Sequence, residues 1–159
     1  MKRFTYAVAA VAALAFGLMA ATPGHAAEEM QKAKSKTHRV MFHIDQNDKA
    51  VMNLLLNNVE NVMQYYQGKG ENLEVEVVAY GPGLTMLRDD KSPVKARLTS
   101  LKKVAFPSKL TFSACGVTLG KAEKKEGHKI PIVAEARIVP GGVVRLTELQ
   151  EDGWAYIKP

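Results

Sequence analysis

A single cysteine, Cys115, stands among the 159 residues, so no disulfide can form within the chain and the fold must rest on its core. One thiol and the nearby-in-type His43 lack the spaced ligand set that zinc requires, and no metal is expected. Met52 and Met63 fall where they suit helix packing rather than copper binding. Phosphate-binding signatures are also missing. Gly81-Pro82-Gly83 has no Lys-Ser/Thr pair after it and does not extend to G-x-G-x-x-G, so no nucleotide cofactor is expected. There is no internal repeat. Beyond residue 26 no segment is apolar for long enough to cross a membrane.

The first 26 residues differ from the rest. Lys2 and Arg3 precede an uncharged run from Phe4 to Ala21, followed by Thr22-Pro23-Gly24-His25-Ala26. A basic start, an apolar run and small residues at its end form the pattern of a secretory signal peptide, with cleavage before Ala27. An uncleaved anchor is the competing reading, because the run is about long enough to span a bilayer. Pro23-Gly24 and the small residues after them favour cleavage. A periplasmic location is expected for the mature chain, with no membrane contact after cleavage.

Cleavage removes two basic residues and no acid, which leaves 20 basic and 16 acidic side chains, a net of +4. Lys91, Lys95, Arg97, Lys102, Lys103 and Lys109 concentrate positive charge in one stretch, and Lys121, Lys124 and Lys125 in another. A solvated helix face is the commoner reason for such runs, and without a nucleic-acid motif no nucleic-acid partner is expected.

Residues 27–37 are polar and read as a linker, and one domain spans 38–159. Arg39 to Asp45 is a near-continuous apolar run of the kind found in strands covered on both faces. Asp45 and Asp48 stand at capping spacing before a helix expected to reach about Tyr66, its apolar stripe running through Val51, Leu54, Leu55, Val59, Val62, Met63 and Tyr66. Leu73 to Tyr80 is the second strand, followed by a loop at Gly81-Pro82-Gly83. Ser92-Pro93 signals a helix start, with Val94, Leu98, Leu101 and Val104 at helical spacing. Lys109 to Ala114 is a third strand, running into Cys115 and a helix from about Gly116 to Lys125. Ala136 to Val139, a helix lined by Val143, Val144, Leu146 and Leu149, and a strand from Trp154 to Lys158 complete the chain.

Strand and helix thus alternate and end on a strand, which predicts an α/β domain: a mostly parallel five-stranded sheet with helices on both faces. A flavodoxin-like strand order of 2-1-3-4-5 makes the first and third strands neighbours and brings His43 and Asp45 to Cys115. A thiol at a strand-to-helix junction faces free N–H groups and the positive end of a helix, which favour the thiolate. The alternative is a buried, inert cysteine. His43 reads either as a base for that thiol or as a satisfied core histidine, and Asp45 either as its orienter or as a helix cap.

Val40 to Asp45 with Asn57 and Asn58 in the next helix, Val77-Val-Ala-Tyr-Gly-Pro-Gly83, Phe112-Ser-Ala-Cys-Gly-Val-Thr-Leu119, and the tail from Val139-Pro-Gly-Gly-Val143 to Trp154-Ala-Tyr-Ile-Lys-Pro159 together resemble the DsrE/DsrF-like family. The resemblance covers about residues 38–159. It implies a three-layer α/β fold, homo-oligomers (trimers or hexamers) and, as in the family's sulfur-relay members, a persulfide carried on Cys115 and exchanged with a donor or acceptor protein. His43, Asp45 and Asn58 match recurring family positions without an implied role. Gly116 and Thr118 depart from the Ala-rich run that follows the cysteine in those relays, and the export signal departs from their cytoplasmic setting. The expected function is therefore sulfane-sulfur binding or relay on Cys115. A non-catalytic oligomeric binding module with a structural cysteine is the alternative, and a thiol hydrolase using Cys115 and His43 is a third reading.

Overall fold

The computed structural model describes residues 36–159. The expected signal peptide at 1–26 and most of the linker at 27–37 lie outside the described residues. The elements run β1 (Thr37–Ile44), α1 (Lys49–Lys69), β2 (Asn72–Ala79), a 3-10 helix (Gly81–Leu87), α2 (Lys95–Val104), β3 (Lys109–Cys115), α3 (Gly116–Glu126), β4 (Ala136–Val139), α4 (Gly142–Glu151) and β5 (Ala155–Ile157). All five strands are parallel, so the α/β class expected from the alternation is what forms.

The strand order corrects one expectation. It is β4-β3-β2-β1-β5, so β1 lies beside β2 and β5, and β2 separates it from β3. From β1 to β4 each crossover steps one strand in the same direction; the last step jumps back across the sheet to β5. Right-handed crossovers taken in one direction place their helices on one face, and a reversal places the next helix on the other. The packing agrees. Val40, Phe42, Ile44, Val75, Val77, Leu110 and Phe112 meet α1, α2 and α3 in the main core, whereas Met41 and Val78 meet Leu146 and Leu149 of α4.

Asp48 begins α1 by accepting the N–H groups of Ala50 (2.7 Å) and Val51 (3.3 Å), and Gly70 ends it at a φ of 66°. The expected stripe is rotated. Met52, Leu55, Leu56, Val59 and Met63 are buried, while Leu54 is half exposed. Three consecutive leucines give no unique helical phase, and the sheet selects the stripe that continues from Met52 to Met63. Gly81-Pro82-Gly83, expected as a loop, opens the 3-10 helix instead.

The basic stretch is largely spent within the chain. Lys91 pairs with Glu126 (3.0 Å), Lys95 with Asp89 (2.5 Å), and Arg97 binds the side-chain oxygens of Asn53 and Asn57 (both 2.8 Å). Lys102 donates to the Leu110 carbonyl, and Lys109 approaches Glu74 at 3.8 Å. Among the described residues, no helix is long and apolar enough to cross a membrane.

The phase of α1 is tested by adjacent truncations. Leu55→Ala removes a fully buried side chain and is expected to cost about 2–5 kcal/mol in urea unfolding. Leu54→Ala, at a half-exposed position, is expected to cost under about 1 kcal/mol. Equal losses would contradict the observed stripe.

Candidate functional site

The loop leaving β3 turns into α3 on the main-core face, and the loop leaving its neighbour β4 turns into α4 on the opposite face. Adjacent strands whose onward connections diverge in this way open a crevice at their C-terminal ends, where α/β sheets bind ligands. Cys115 is the last residue of β3 and stands at that crevice. It pairs in register with Val139, the last residue of β4.

Both helices start at its sulfur. Cys115 is the N-cap of α3, and its Sγ accepts the N–H of Thr118 at 3.4 Å. From the other layer, the N–H of Gly142, the first residue of α4, reaches the same Sγ at 3.1 Å. A Cβ on Gly142 would stand 2.7 Å from Cβ of Tyr80 and 3.2 Å from Cβ of Cys115, so only glycine lets α4 begin this close to the thiol. The Thr118 hydroxyl accepts the N–H of Gly81 at 3.0 Å, which leaves its own proton for the sulfur.

Cys115 is 5% exposed, and burial alone pushes its pKa up. Hydrogen bonds from the Thr118 hydroxyl and from the N–H groups of Thr118, Gly142 and Val117 outweigh that burial and hold the thiol below its ordinary value. Amide dipoles at helix N-termini stabilise an anion in this way. The sulfur borders a pocket of about 250 Å³ lined by Tyr80, Val117, Thr118, Gly141, Gly142, Val143 and Val144. No charged side chain lines it. Val117, Val143 and Val144 are each more than half exposed and ring its mouth.

His43 stands elsewhere. It lies on β1, two strands from β3, which at the usual spacing separates the backbones by about 10 Å. The imidazole is buried, and Tyr156 OH meets Nδ1 at 2.5 Å while Tyr80 OH meets Nε2 at 3.4 Å. No hydrogen bond joins it to Cys115. Burial is the main cause of its lowered pKa, with Lys158 adding to it and Asp45 opposing. The expected His43–Cys115 contact is therefore absent, because that expectation rested on β1 lying beside β3.

Asp45 does not cap α1, a role that Asp48 fills alone. It sits 3.7 Å from His43 Nε2 and 3.4 Å from Lys158 Nζ, which places it as a partner of the imidazole. The segment Pro140-Gly141-Gly142, which the alternation already sets on the rim that carries Cys115, supplies the N-terminus of α4, whereas the Tyr80 ring escapes a reading by spacing. Tyr80 follows Ala79, whose partner Ala114 precedes Cys115, so it is the thiol's cross-strand neighbour. Register would have found it.

No protein-family model matches the chain, and no curated protein matches it. Among solved structures it is similar to MTH1491 from Methanobacterium thermoautotrophicum, described as a protein of unknown function. The identity is 33%, the match covers 77% of this chain and 99% of that one, and the TM-score is 0.63. The chain belongs to the family of MTH1491. That membership supports the fold across nearly the full length of the methanobacterial relative and leaves the chemistry to the site itself.

Thr118→Val keeps the size of the side chain and removes its hydroxyl. Alkylation of Cys115 follows the thiolate fraction, so the rate rises with pH through the thiol pKa. The wild-type midpoint is expected below that of the denatured chain. The variant is expected to shift it upward and to slow alkylation several-fold at neutral pH, roughly the worth of one hydrogen bond. An unmoved midpoint would remove the hydroxyl from the site.

Proposed function

We propose that this protein binds or relays sulfane sulfur as a persulfide on Cys115. The observation that carries the reading is the thiol at the β3/β4 crevice, held by N–H groups from two helices and open to a small apolar pocket. The resemblance to DsrE/DsrF-like proteins points the same way.

The chemistry balances without an external oxidant. The Cys115 thiolate attacks the outer sulfur of a persulfide or polysulfide donor, a new S–S bond forms, and the donor's thiolate leaves with the electron pair of the old one. In delivery, an acceptor thiolate attacks the outer sulfur and Cys115 departs as thiolate. A lowered thiol pKa makes Cys115 a better leaving group in that second step. The apolar walls suit a soft, weakly hydrated sulfur atom better than a multiply charged oxyanion, which would require donors along the wall.

The exposed valines at the mouth support docking there, by a donor or acceptor protein or by further copies in the expected trimer or hexamer. Export to the periplasm remains part of the proposal on the strength of residues 1–26. The low exposure of Cys115 favours the second reading, a non-catalytic oligomeric module in which the cysteine is structural.

One experiment separates them. Purified protein is incubated with inorganic polysulfide or thiosulfate and analysed by mass spectrometry under non-reducing conditions. The relay predicts added sulfur on Cys115 from polysulfide at least, with none on Cys115→Ala. A native protein that takes up no sulfur and whose thiol is labelled only after unfolding supports the structural module.

A further inference from the structure

The carboxylate of Glu76 is 2% exposed, on the same sheet face as Cys115. Its Oε1 accepts from Ser113 Oγ (2.7 Å), Arg137 Nη2 (3.0 Å) and Arg145 Nε (2.9 Å). Its Oε2 accepts from Arg137 Nη2 (3.0 Å) and Arg145 Nη2 (2.9 Å). Arg137 Nε also donates to Ser113 Oγ at 3.2 Å, and Arg145 Nη1 to Glu148 at 3.1 Å. A buried carboxylate is costly unless it is paired and its lone pairs are filled, and here they are.

What the network connects is more informative than its strength. Glu76 is on β2, Ser113 on β3 two residues before Cys115, Arg137 on β4, and Arg145 in the first turn of α4. The two arginines flank the segment 138–144, so one carboxylate fixes both ends of the turn that contains Pro140, Gly141 and Gly142. That turn delivers the Gly142 N–H to Sγ.

We propose that Glu76 is a positioning residue for Cys115, holding the first turn of α4 over the sulfur through its arginine clamp. The proposal rests on Cys115 being a stabilised thiolate and is independent of which sulfur compound reacts there.

The sign of the effect distinguishes positioning from charge. Removing a negative group near the thiol, with Arg137 and Arg145 left behind, would by Coulomb's law favour the thiolate and speed its alkylation. Losing the Gly142 N–H has the opposite effect. The other charged groups facing Glu76 are Arg39 on β1, Glu74 on β2, Lys109 on β3 and Asp152 after α4, which border the groove above it. Glu148 on α4 reaches Arg145. On the thiol side, Tyr80, just after β2, is the titratable group that lines the pocket beside Cys115, with His43 of β1 and Asp45 just after it behind.

The test is the pH profile of Cys115 alkylation by iodoacetamide in full-length Glu76→Gln, which preserves size, with circular dichroism to confirm the fold. The profile is expected to move to higher pH, with about tenfold slower alkylation at neutral pH, the worth of one charge-assisted hydrogen bond. Arg145→Lys keeps the charge but loses the two-pronged contact, and is expected to move the profile in the same direction. An unmoved profile, or one displaced to lower pH, in a folded variant overturns the proposal. If Glu76→Gln does not fold, Arg145→Lys decides by the same criterion. Failure of the sulfur reading shows separately, as wild-type protein that takes up no sulfur.

Discussion

The site depends on a reversal in the order of the sheet. Three crossovers step in one direction and the fourth turns back, so β3 and β4 send their helices to opposite faces. The N-termini of α3 and α4 then meet at one residue between the layers. Gly142 makes the second approach possible, because any Cβ there would collide with Tyr80 and crowd Cys115.

Two opposing effects act on the sulfur, and their balance defines its chemistry. Burial favours the neutral thiol, and converging N–H groups favour the thiolate. The second effect prevails because the Thr118 hydroxyl joins backbone amides held in place at two helix starts, so little reorganisation is needed when charge forms on the sulfur. The apolar wall of Val117, Val143 and Val144 acts on the side of burial, since it offers the charged sulfur no donor of its own. The same apolar residues, exposed at the mouth, leave a surface suited to a partner.

Much of this was legible in the sequence and some was not. The alternation of Val, Ile and Leu runs with capped helical stripes foretold all five strands, and Cys115 was placed correctly at the end of the third. Periodicity describes each element against its own axis, however, and does not say which strands become neighbours. That is why His43 was expected beside the thiol and is found two strands away, with its nitrogens turned to Tyr156 and Tyr80. Glu76 and Arg145 are 69 residues apart and belong to no motif; their pairing exists only once β2 and α4 share a face. Asp45 and Asp48 were equivalent by spacing, and only the backbone path into α1 decides that Asp48 caps the helix.

The account stands on the ionisation of one thiol. The direct measurement is a pH titration of the native protein followed by the ultraviolet absorbance of the thiolate, with Cys115→Ala as the blank and the denatured chain as the reference. Stabilisation by Thr118, Val117 and Gly142 predicts a midpoint for the folded protein below that of the denatured chain. A midpoint equal to or above the denatured value would mean that burial prevails and that Cys115 is an inert core residue.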